Sequence, residues 1–316
     1  MTQSRSDAVL PHHAIIREVG LRDGLQSLAR VLPTADKIEW IQGAYDAGQR
    51  EIEVGSFVPT RLLPQLADTA ELLAFARTLP GLITSVLVPN LKGAERAIEC
   101  KADLMLLPLS ASHAHSLANL RKTPAEVVSE IGHIVAARNA AGSLTLIEVG
   151  ISTAFGCPLQ GRVETSEVLR LLQAVLDAGV DRVGLADTVG YADPVKVRHL
   201  FEQALQVAGG KLNCAHFHDT RGLGLANVYA ALLCGVTRFD ACLGGIGGCP
   251  HAPGASGNVV TEDLAYMLQS MGIATGQDIN QLLALRNKMV NWLDQETLHG
   301  TLWKAGLPKT LSELPP

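Results

Sequence analysis

Eight short apolar runs, each followed by a longer segment of helical periodicity, constrain the fold of this 316-residue chain more than any other feature. The runs are rich in Val, Ile and Leu, as strands buried on both faces of a parallel sheet tend to be. They are Ala14–Val19, Glu51–Gly55, Leu82–Val88, Asp103–Leu109, Leu144–Ile151, Arg182–Ala186, Leu212–His218 and Arg238–Leu243. Eight such units predict an α/β fold, a (β/α)8 TIM barrel, which needs roughly 250 residues.

Helix boundaries can be predicted from capping residues and glycines. Thr123–Glu126 has the form of a capping box with proline at the first helical position, and Asp193-Pro194 gives a similar start. The segments DAGQREIEV, DAGVDRVGL and LCGVTRFDA each end a helix at glycine before a strand, which is the αβ unit of a parallel sheet. An open doubly wound sheet is the alternative. That fold is expected to have a glycine-rich fingerprint at the start of its first helix, but the sequence after the first strand is GLRDGLQS.

Residues from about Thr275 onward, including NQLLALRNKMVNWLDQ, indicate helix beyond the barrel. We therefore expect a catalytic TIM-barrel domain over residues 1–274. Residues 275–316 are expected to form a C-terminal helical extension packed on that barrel.

Composition narrows the class of protein and its partners. The formal charge of -5 argues against a nucleic-acid partner or an anionic membrane. No segment approaches the roughly 18 unbroken apolar residues of a membrane span, and the first residues lack the pattern of a signal peptide. A cytoplasmic location is the expectation. The six cysteines form no CxxC pair, so a structural zinc knuckle is not predicted.

Polar side chains collect at the predicted carboxyl ends of the strands, where barrel enzymes carry their chemistry. Ionisable groups at such apolar strand ends are costly unless they are paired or bind something. The residues at these ends are Arg22, Asp23, Glu53, Asp187, His216, His218, Asp219, Cys249 and Asn258.

His216 and His218 are the most specific local signal. Side chains two apart on a strand point the same way, so both imidazoles can share one ion, with Asp23 and Asn258 as oxygen donors. Such a thiol-free set suits Mg²⁺ or Mn²⁺, and Zn²⁺ stays open. Two separately satisfied histidines are the alternative. A second pair, His113 and His115, is predicted to lie in a loop, either solvated or lining the mouth of a substrate site.

Arg22 is predicted to be a permanent cation aimed at a developing oxyanion, or the partner of Glu53 or Asp187 in a structural ion pair, or both. Glu53 and Asp187 are expected to orient other groups, with a direct catalytic role as the alternative.

Several stretches resemble the hydroxymethylglutaryl-CoA lyase family, in order from about Ile16 to Gly276. They are EVGLRDGLQS, IEVGSFVPTRLLPQLAD, GCPLQGRV, LADTVG, HFHDTRGLGLAN and GGIGGCPHAPGASGNVVTEDLAYML. The resemblance implies metal-dependent retro-Claisen cleavage of 3-hydroxy-3-methylglutaryl-CoA to acetyl-CoA and acetoacetate, assisted by Mg²⁺ or Mn²⁺. It also implies a CoA-thioester substrate and a homodimer or larger homo-oligomer.

The resemblance further implies roles for individual positions. The metal ligands fall on Asp23, His216, His218 and Asn258. The catalytic arginine falls on Arg22, the supporting acids on Glu53 and Asp187, and the catalytic cysteine on Cys249. The general base is either Asp23 or His216. Cys249 would protonate the departing carbanion from a closing glycine-rich loop.

The sequence departs from the family pattern at several points. Ser27-Leu28-Ala29 stand where Asn-Glu-Lys is expected, and His251 and Arg221 stand where tyrosines are expected. The roles of His251 and Arg221 stay open; Arg221 either pairs with a substrate anion or lies on the surface. Citramalyl-CoA and longer 3-hydroxy-3-alkylglutaryl-CoA thioesters are alternative substrates. Two different functions on the same barrel compete with the lyase: a Claisen-condensing acyltransferase and a non-catalytic binding protein.

Overall fold

The structure, a computed structural model, describes residues 10–248 and 257–309. Eight parallel strands pair in sequence order and close into a barrel, with β1 also pairing with β8. This closed arrangement confirms the predicted (β/α)8 TIM barrel and each of the eight predicted strands. The strands are β1 Ile15–Glu18, β2 Glu51–Ser56, β3 Ile83–Leu87, β4 Leu104–Ser110, β5 Leu146–Ser152, β6 Arg182–Asp187, β7 Leu212–Phe217 and β8 Arg238–Ala241.

Helices surround the strands and continue beyond β8. The barrel helices are α1 Thr34–Asp46, α2 Thr69–Ala76, α3 Leu91–Glu99, α4 His113–Leu120, α5 Pro124–Ala140, α6 Thr165–Asp177, α7 Pro194–Ala208, α8 Gly224–Leu233 and α9 Thr261–Ser270. They are followed by α10 Ile279–Trp292 and α11 Leu302–Ala305. None of the helices within the described residues combines the length and apolar character that crossing a bilayer requires.

The predicted helix boundaries are confirmed. Thr123 and Glu126 form a capping box at α5, and the Asp193 side chain caps α7. Gly48, Gly179 and Gly235, from the three repeated segments, have φ of 91°, 90° and 96°. Only glycine adopts this left-handed conformation without strain, so it ends each helix and turns the chain toward the next strand.

The C-terminal helix α10 packs against α1 and α9 of the barrel. A buried ion pair of 2.8 Å joins Arg286 on α10 to Glu262 on α9. Leu285 on the same helix lies so close to α1 that a methyl group at Gly43 would come within 2.8 Å of it. The helical segment that the sequence predicts is therefore present, while the division at residues 274 and 275 stays a prediction.

The loop predicted for His113 and His115 is wrong, because both lie in the first turn of α4. Ser112 caps this helix by accepting a hydrogen bond from the His115 N–H at 3.2 Å. Positions two apart face different sides of a helix, and accordingly His113 is exposed while His115 is buried. The His115 Nδ1 atom lies 3.0 Å from the Ser110 hydroxyl at the end of β4.

Candidate active site

A tight turn after β1 presents Arg22 and Asp23 at the carboxyl end of the barrel. Residues Gly20–Gly24 form one turn of π-helix, and the N–H groups of Arg22 and Asp23 both donate to the Val19 carbonyl. A Cβ at Gly20 would lie 2.5 Å from the Glu18 carboxylate and from the Trp40 ring. The turn therefore requires glycine, and it fixes where the two charged side chains begin.

Asp23, His216 and His218 converge at this end of the barrel. One possible ligand atom from each residue lies within 4.8 Å of the others. The two imidazole rings are 5.1 Å apart, and His218 Nε2 lies 3.7 Å from Asp23 Oδ2. The Asn258 Nδ2 group donates to Asp23 Oδ2 at 2.7 Å. All four residues proposed from the sequence as metal ligands are thus brought together.

The donor set fits a divalent cation. The Oδ1 atom of Asn258 and the Nδ1 atom of His218 are buried without a hydrogen-bond partner in the described part of the chain. A buried polar atom left without a partner is costly unless a ligand or ion completes it. His216 Nδ1 is held 3.1 Å from Asp240 Oδ2, which leaves Nε2 as its available ligand atom. Two imidazoles, one carboxylate and one amide make a candidate metal site.

Arg22 lies between two carboxylates. Its Nη1 atom is 2.6 Å from Asp23 Oδ1, and its Nε atom is 2.7 Å from Glu53 Oε1 on β2. The contact with Glu53 has the separation of an ion pair, but Nε–H and Oε1 are not aligned as a directed hydrogen bond. Glu53 is fully buried, so its carboxylate holds the guanidinium at a fixed position.

Charge sets the protonation of the cluster. Burial would raise the pKa of Asp23, but Arg22 and the two histidines hold it well below its usual range. Burial lowers the pKa of His216, and the hydrogen bond and charge of Asp240 outweigh this, so the net shift is upward. Burial also raises the pKa of Glu53, against the opposing effect of Arg22. Asp23 is therefore an anion throughout the neutral pH range.

Asp187, at the end of β6, is engaged with the backbone. Its two carboxylate oxygens accept from the N–H groups of Tyr191 and Ala192 at 2.8 and 3.0 Å. Burial raises the pKa of Asp187 against these two hydrogen bonds. These hydrogen bonds stabilise the loop between β6 and α7, while the orienting role expected for Asp187 stays a prediction.

Sequence reasoning missed a buried ionic group beneath the cluster. Arg17 on β1 lies 2.7 Å from Asp240 on β8 and 2.9 Å from Glu148 on β5. All three residues are buried, and Asp240 also holds His216. Charged residues inside apolar strand segments were the available signal, because such residues need partners. They were missed because the sequence analysis considered only the charged residues at the ends of the strands.

Glu18 was missed as well, and it links the two halves of the site. Its carboxylate accepts from the Gly20 N–H at 2.9 Å, the Leu243 N–H at 3.1 Å and the Thr261 hydroxyl at 2.7 Å. The first donor belongs to the turn carrying Arg22, and the other two lie on either side of the segment between β8 and α9. Burial raises the pKa of Glu18 to about 7, against the effect of these donors.

Cys249 and His251 lie outside the described residues. The described residues on both sides of their segment are at the site. A Cβ on Gly247 would come within 2.7 Å of the Asn258 amide and 3.5 Å of the Asp23 carboxylate. Asn258 itself follows on the other side and pairs with His218 in a short β-bridge.

Arg221 lines a cleft of 740 Å³ beside the site, above β5, β6 and β7. Its Nη1 group donates to the carbonyls of Val189 and Gly190 at 3.0 and 3.1 Å, and its guanidinium lies 4.8 Å from the centre of the Tyr191 ring. The side chain is exposed yet anchored to the neighbouring loop, so it is not a freely solvated arginine.

The sequence from residue 13 to residue 289 matches the profile of the family described as HMGL-like. The chain belongs to the HMGL-like family. Named relatives and solved structures of this family are also similar to the chain. The resemblance stated from the sequence motifs is therefore confirmed. As a member of this family, the protein is a carbon–carbon lyase.

Three HMGL-like relatives show the extent of the similarity. A hydroxymethylglutaryl-CoA lyase of Bacillus subtilis is 36% identical over 286 residues, which are 90% of this chain and 94% of that protein. A Pseudomonas aeruginosa protein, named 3-hydroxy-3-isohexenylglutaryl-CoA/hydroxy-methylglutaryl-CoA lyase, is 38% identical over 87% of this chain and 91% of its own length. The solved structure of an HMG-CoA lyase from Acinetobacter baumannii, in complex with coenzyme A and 3-methylmalate, has 39% identity and a TM-score of 0.88, covering 100% of this chain and 99% of its own.

We expect Glu18→Gln to change how stability depends on pH. The folded-state pKa of Glu18 is about 7, above the ordinary value of 4.5, so the folded protein keeps a proton that the unfolded chain loses between these values. This contribution is fully present below pH 4.5 and is lost as the pH rises through 7. From pH 4.5 to pH 7, the free energy of unfolding of wild type relative to the variant should therefore fall by about 3 kcal/mol.

Urea unfolding of both proteins at the two pH values measures this difference. Glu164→Gln, which removes an exposed carboxylate, is the control for loss of a surface charge. A difference between wild type and Glu18→Gln that is the same at both pH values would contradict the prediction.

Proposed function

We propose that this HMGL-like protein uses a divalent cation to cleave 3-hydroxy-3-methylglutaryl-CoA into acetyl-CoA and acetoacetate. The observation that carries the proposal is the convergence of Asp23, His216, His218 and Asn258 beside Arg22 at one end of the barrel. Two of the relatives bear hydroxymethylglutaryl-CoA lyase activity in their names, and the Acinetobacter structure holds coenzyme A.

The cation would be held by Asp23, His216, His218 and Asn258. Their nitrogen and oxygen donors, without a thiol, favour Mg²⁺ or Mn²⁺. The unpartnered Asn258 Oδ1 and His218 Nδ1 atoms support a site that an ion completes. When bound, the cation supplies positive charge that lowers the pKa of the substrate hydroxyl.

Cleavage begins when a base removes the proton from the hydroxyl at C3 of the substrate, and Asp23 and His216 are the two candidates for this base. The C2–C3 bond then breaks. C3 becomes the ketone carbon of acetoacetate, and the bonding electrons pass to C2 and the thioester as the enolate of acetyl-CoA. A proton delivered to C2 completes acetyl-CoA.

We assign the stabilisation of the enolate to Arg22. A guanidinium fixed before the reaction stabilises developing negative charge without having to reorganise. Glu53 holds Arg22 through its Nε side, and Asp23 holds it through Nη1. Since Glu53 and Asp187 contact other protein groups, we assign them orienting roles.

We assign the proton donor to Cys249. Gly247 and Asn258, described residues that precede and follow its segment, both lie beside the Asp23 carboxylate. In this proposal the protonated thiol of Cys249 donates its proton to C2. Exclusion of water at that moment would protect the enolate from protonation by solvent.

The name of one relative supports a second candidate substrate. The Pseudomonas protein, 38% identical, is named for 3-hydroxy-3-isohexenylglutaryl-CoA as well as the methyl compound. A 3-hydroxy-3-alkylglutaryl-CoA with a longer chain undergoes the same bond cleavage. Homo-oligomer formation and a cytoplasmic location stay predictions from the sequence.

The first test is a direct assay. Protein treated with EDTA and then given Mg²⁺ or Mn²⁺ should convert 3-hydroxy-3-methylglutaryl-CoA into equal amounts of acetyl-CoA and acetoacetate, measured by chromatography. The 3-isohexenyl thioester is compared in parallel. Formation of free CoA from acetyl-CoA and a 2-oxo acid, without cleavage of either thioester, would instead favour a condensing acyltransferase.

His218→Ala should weaken divalent-metal binding and turnover together, because it removes one imidazole from a set of four ligands. Calorimetric titration of the protein with Mn²⁺ gives the affinity without relying on activity. We expect a loss of at least about tenfold in affinity. His133→Ala, at an exposed position on α5, is the matched control. Unchanged Mn²⁺ affinity in His218→Ala would remove this residue from the ligand set.

Cys249→Ala should lower turnover by more than about tenfold, since general acid catalysis contributes on that scale or above. Mn²⁺ affinity and thermal stability should stay at their wild-type values. Cys234→Ala, which removes a half-buried thiol on the outside of the barrel, is the control. If the two variants turn over substrate equally, Cys249 is not the proton donor.

A further inference from the structure

The interior of the barrel has two chemically different sides near its carboxyl end. The side formed by β1, β2, β7 and β8 carries the charged groups and imidazoles of the candidate metal site. On the side formed by β4, β5 and β6, a row of interior-facing positions is apolar. We call this row the apolar wall, and its residues are Leu106 and Pro108 on β4, Gly150 on β5 and Ala186 on β6.

Contacts and strand register show that the apolar wall faces the interior. Glu148 on β5 lies 2.9 Å from Arg17 on β1, on the opposite side of the barrel, so the Glu148 side chain points inward. Gly150 follows two residues later on the same strand and therefore faces the same way. Leu106 and Pro108 are in register with Glu148 and Gly150, so they face inward as well.

The apolar wall continues to the metal site through β6. Gly150 is in register with Gly184, and Ala186, two residues further along β6, is in register with His216 on β7. Gly150 is thus two strands away from a candidate metal ligand. At the usual spacing of neighbouring strands this distance is about 10 Å along the sheet.

Gly150 leaves open space in the apolar wall. A Cβ atom added there would meet no atom of the described residues within 4 Å, whereas a Cβ atom at Gly184 would lie 3.3 Å from that of Cys214. Val149 and Ile151, which point outward from the same strand, are fully buried in the core, yet Gly150 is only half-buried. The interior is therefore unfilled beside Gly150.

The local backbone does not explain why residue 150 is glycine. Gly150 is not among the described glycines with a positive φ, so a residue with a side chain can adopt its conformation. The register of β5 with β4 and with β6 runs without a shift, so there is no bulge at this position. Glycine inside a strand otherwise marks a place where a ligand or another part of the backbone approaches closely, and no described backbone atom does.

We propose that the space beside Gly150 receives the alkyl group on C3 of the substrate, and that the missing side chain lets this group be longer than methyl. This rests on the proposed function, which brings the C3 hydroxyl to the metal cluster. Burial against the apolar wall is favourable for an alkyl chain and costly for the substrate carboxylate. Gly150 is then a specificity-determining residue.

The test fills the space and compares two substrates, 3-hydroxy-3-methylglutaryl-CoA and 3-hydroxy-3-butylglutaryl-CoA. In Gly150→Leu, the ratio of kcat/KM for the butyl compound to that for the methyl compound should fall by at least about tenfold, because the added side chain occupies the room of several methylene groups. Gly150→Ala should lower the same ratio by a smaller factor.

Gly132→Leu is the matched control. Gly132 lies on α5, outside the barrel, and a Cβ atom added there also meets no described atom within 4 Å. This variant should keep the wild-type ratio. Thermal unfolding identifies which variants are folded, and Gly150→Ala decides the question if Gly150→Leu is not. An unchanged ratio in the folded Gly150 variants, or a wild-type protein that cleaves the methyl compound but not the butyl compound, would overturn the proposal.

Binding keeps this inference separate from the proposed function. Analogues without the hydroxyl, 3-methylglutaryl-CoA and 3-butylglutaryl-CoA, cannot be cleaved, and calorimetric titration gives their affinities. If wild type cleaves neither hydroxy compound but Gly150→Leu selectively loses affinity for the butyl analogue, the space beside Gly150 is the alkyl site and the proposed reaction is wrong. If Gly150→Leu binds both analogues as wild type does, the assignment of Gly150 fails even when the methyl compound is cleaved.

Discussion

The carboxylate of Asp240 is shared between Arg17 inside the barrel and His216 at its open end, and the site depends on this sharing. Arg17 and Asp240 are directly paired across β1 and β8, and Asp240 and His216 across β8 and β7. Removing one partner of a buried ion pair typically costs several kcal/mol, because the other charge is left without compensation. The same contact orients the imidazole, so one carboxylate serves both the stability of the barrel and the geometry of the cluster.

Barrel closure explains why residues distant in the sequence meet. Asp23 follows β1, whereas His218 and Asn258 come after β7 and β8, and only pairing of β1 with β8 makes these neighbours. Glu18 adds a local link, because its carboxylate accepts hydrogen bonds from the turn that carries Arg22 and from residues on either side of the segment between β8 and α9. The β1–β8 pairing and the Glu18 hydrogen bonds therefore both hold the residues after β1 close to the residues after β7 and β8.

Much of this arrangement could be predicted from the sequence. The strands were correct because apolar runs with glycine stops at Gly48, Gly179 and Gly235 have one simple interpretation in a parallel sheet. His216, His218 and Asp23 stood out because charge at strand ends needs a partner. The pairing of Asp240 with Arg17 could not be predicted, since it exists only after closure. His115 was misplaced because spacing of two residues carries no meaning until strand, helix or loop is known, and Ser112 starts a helix there.

Gly257 holds the two described ends of the segment between β8 and α9 close together. A side chain there would collide with the carbonyl groups of Gly245 and Ile246, so the two stems of the segment between them touch. Backbone hydrogen bonds also hold the second stem: the Asp219 N–H donates to the Gly257 carbonyl, and the Cys242 N–H, just after β8, donates to the Val259 carbonyl. Asp23 and Asn258 are therefore positioned by contacts within the described residues, so a sequence change confined to residues 249–256 leaves these contacts in place.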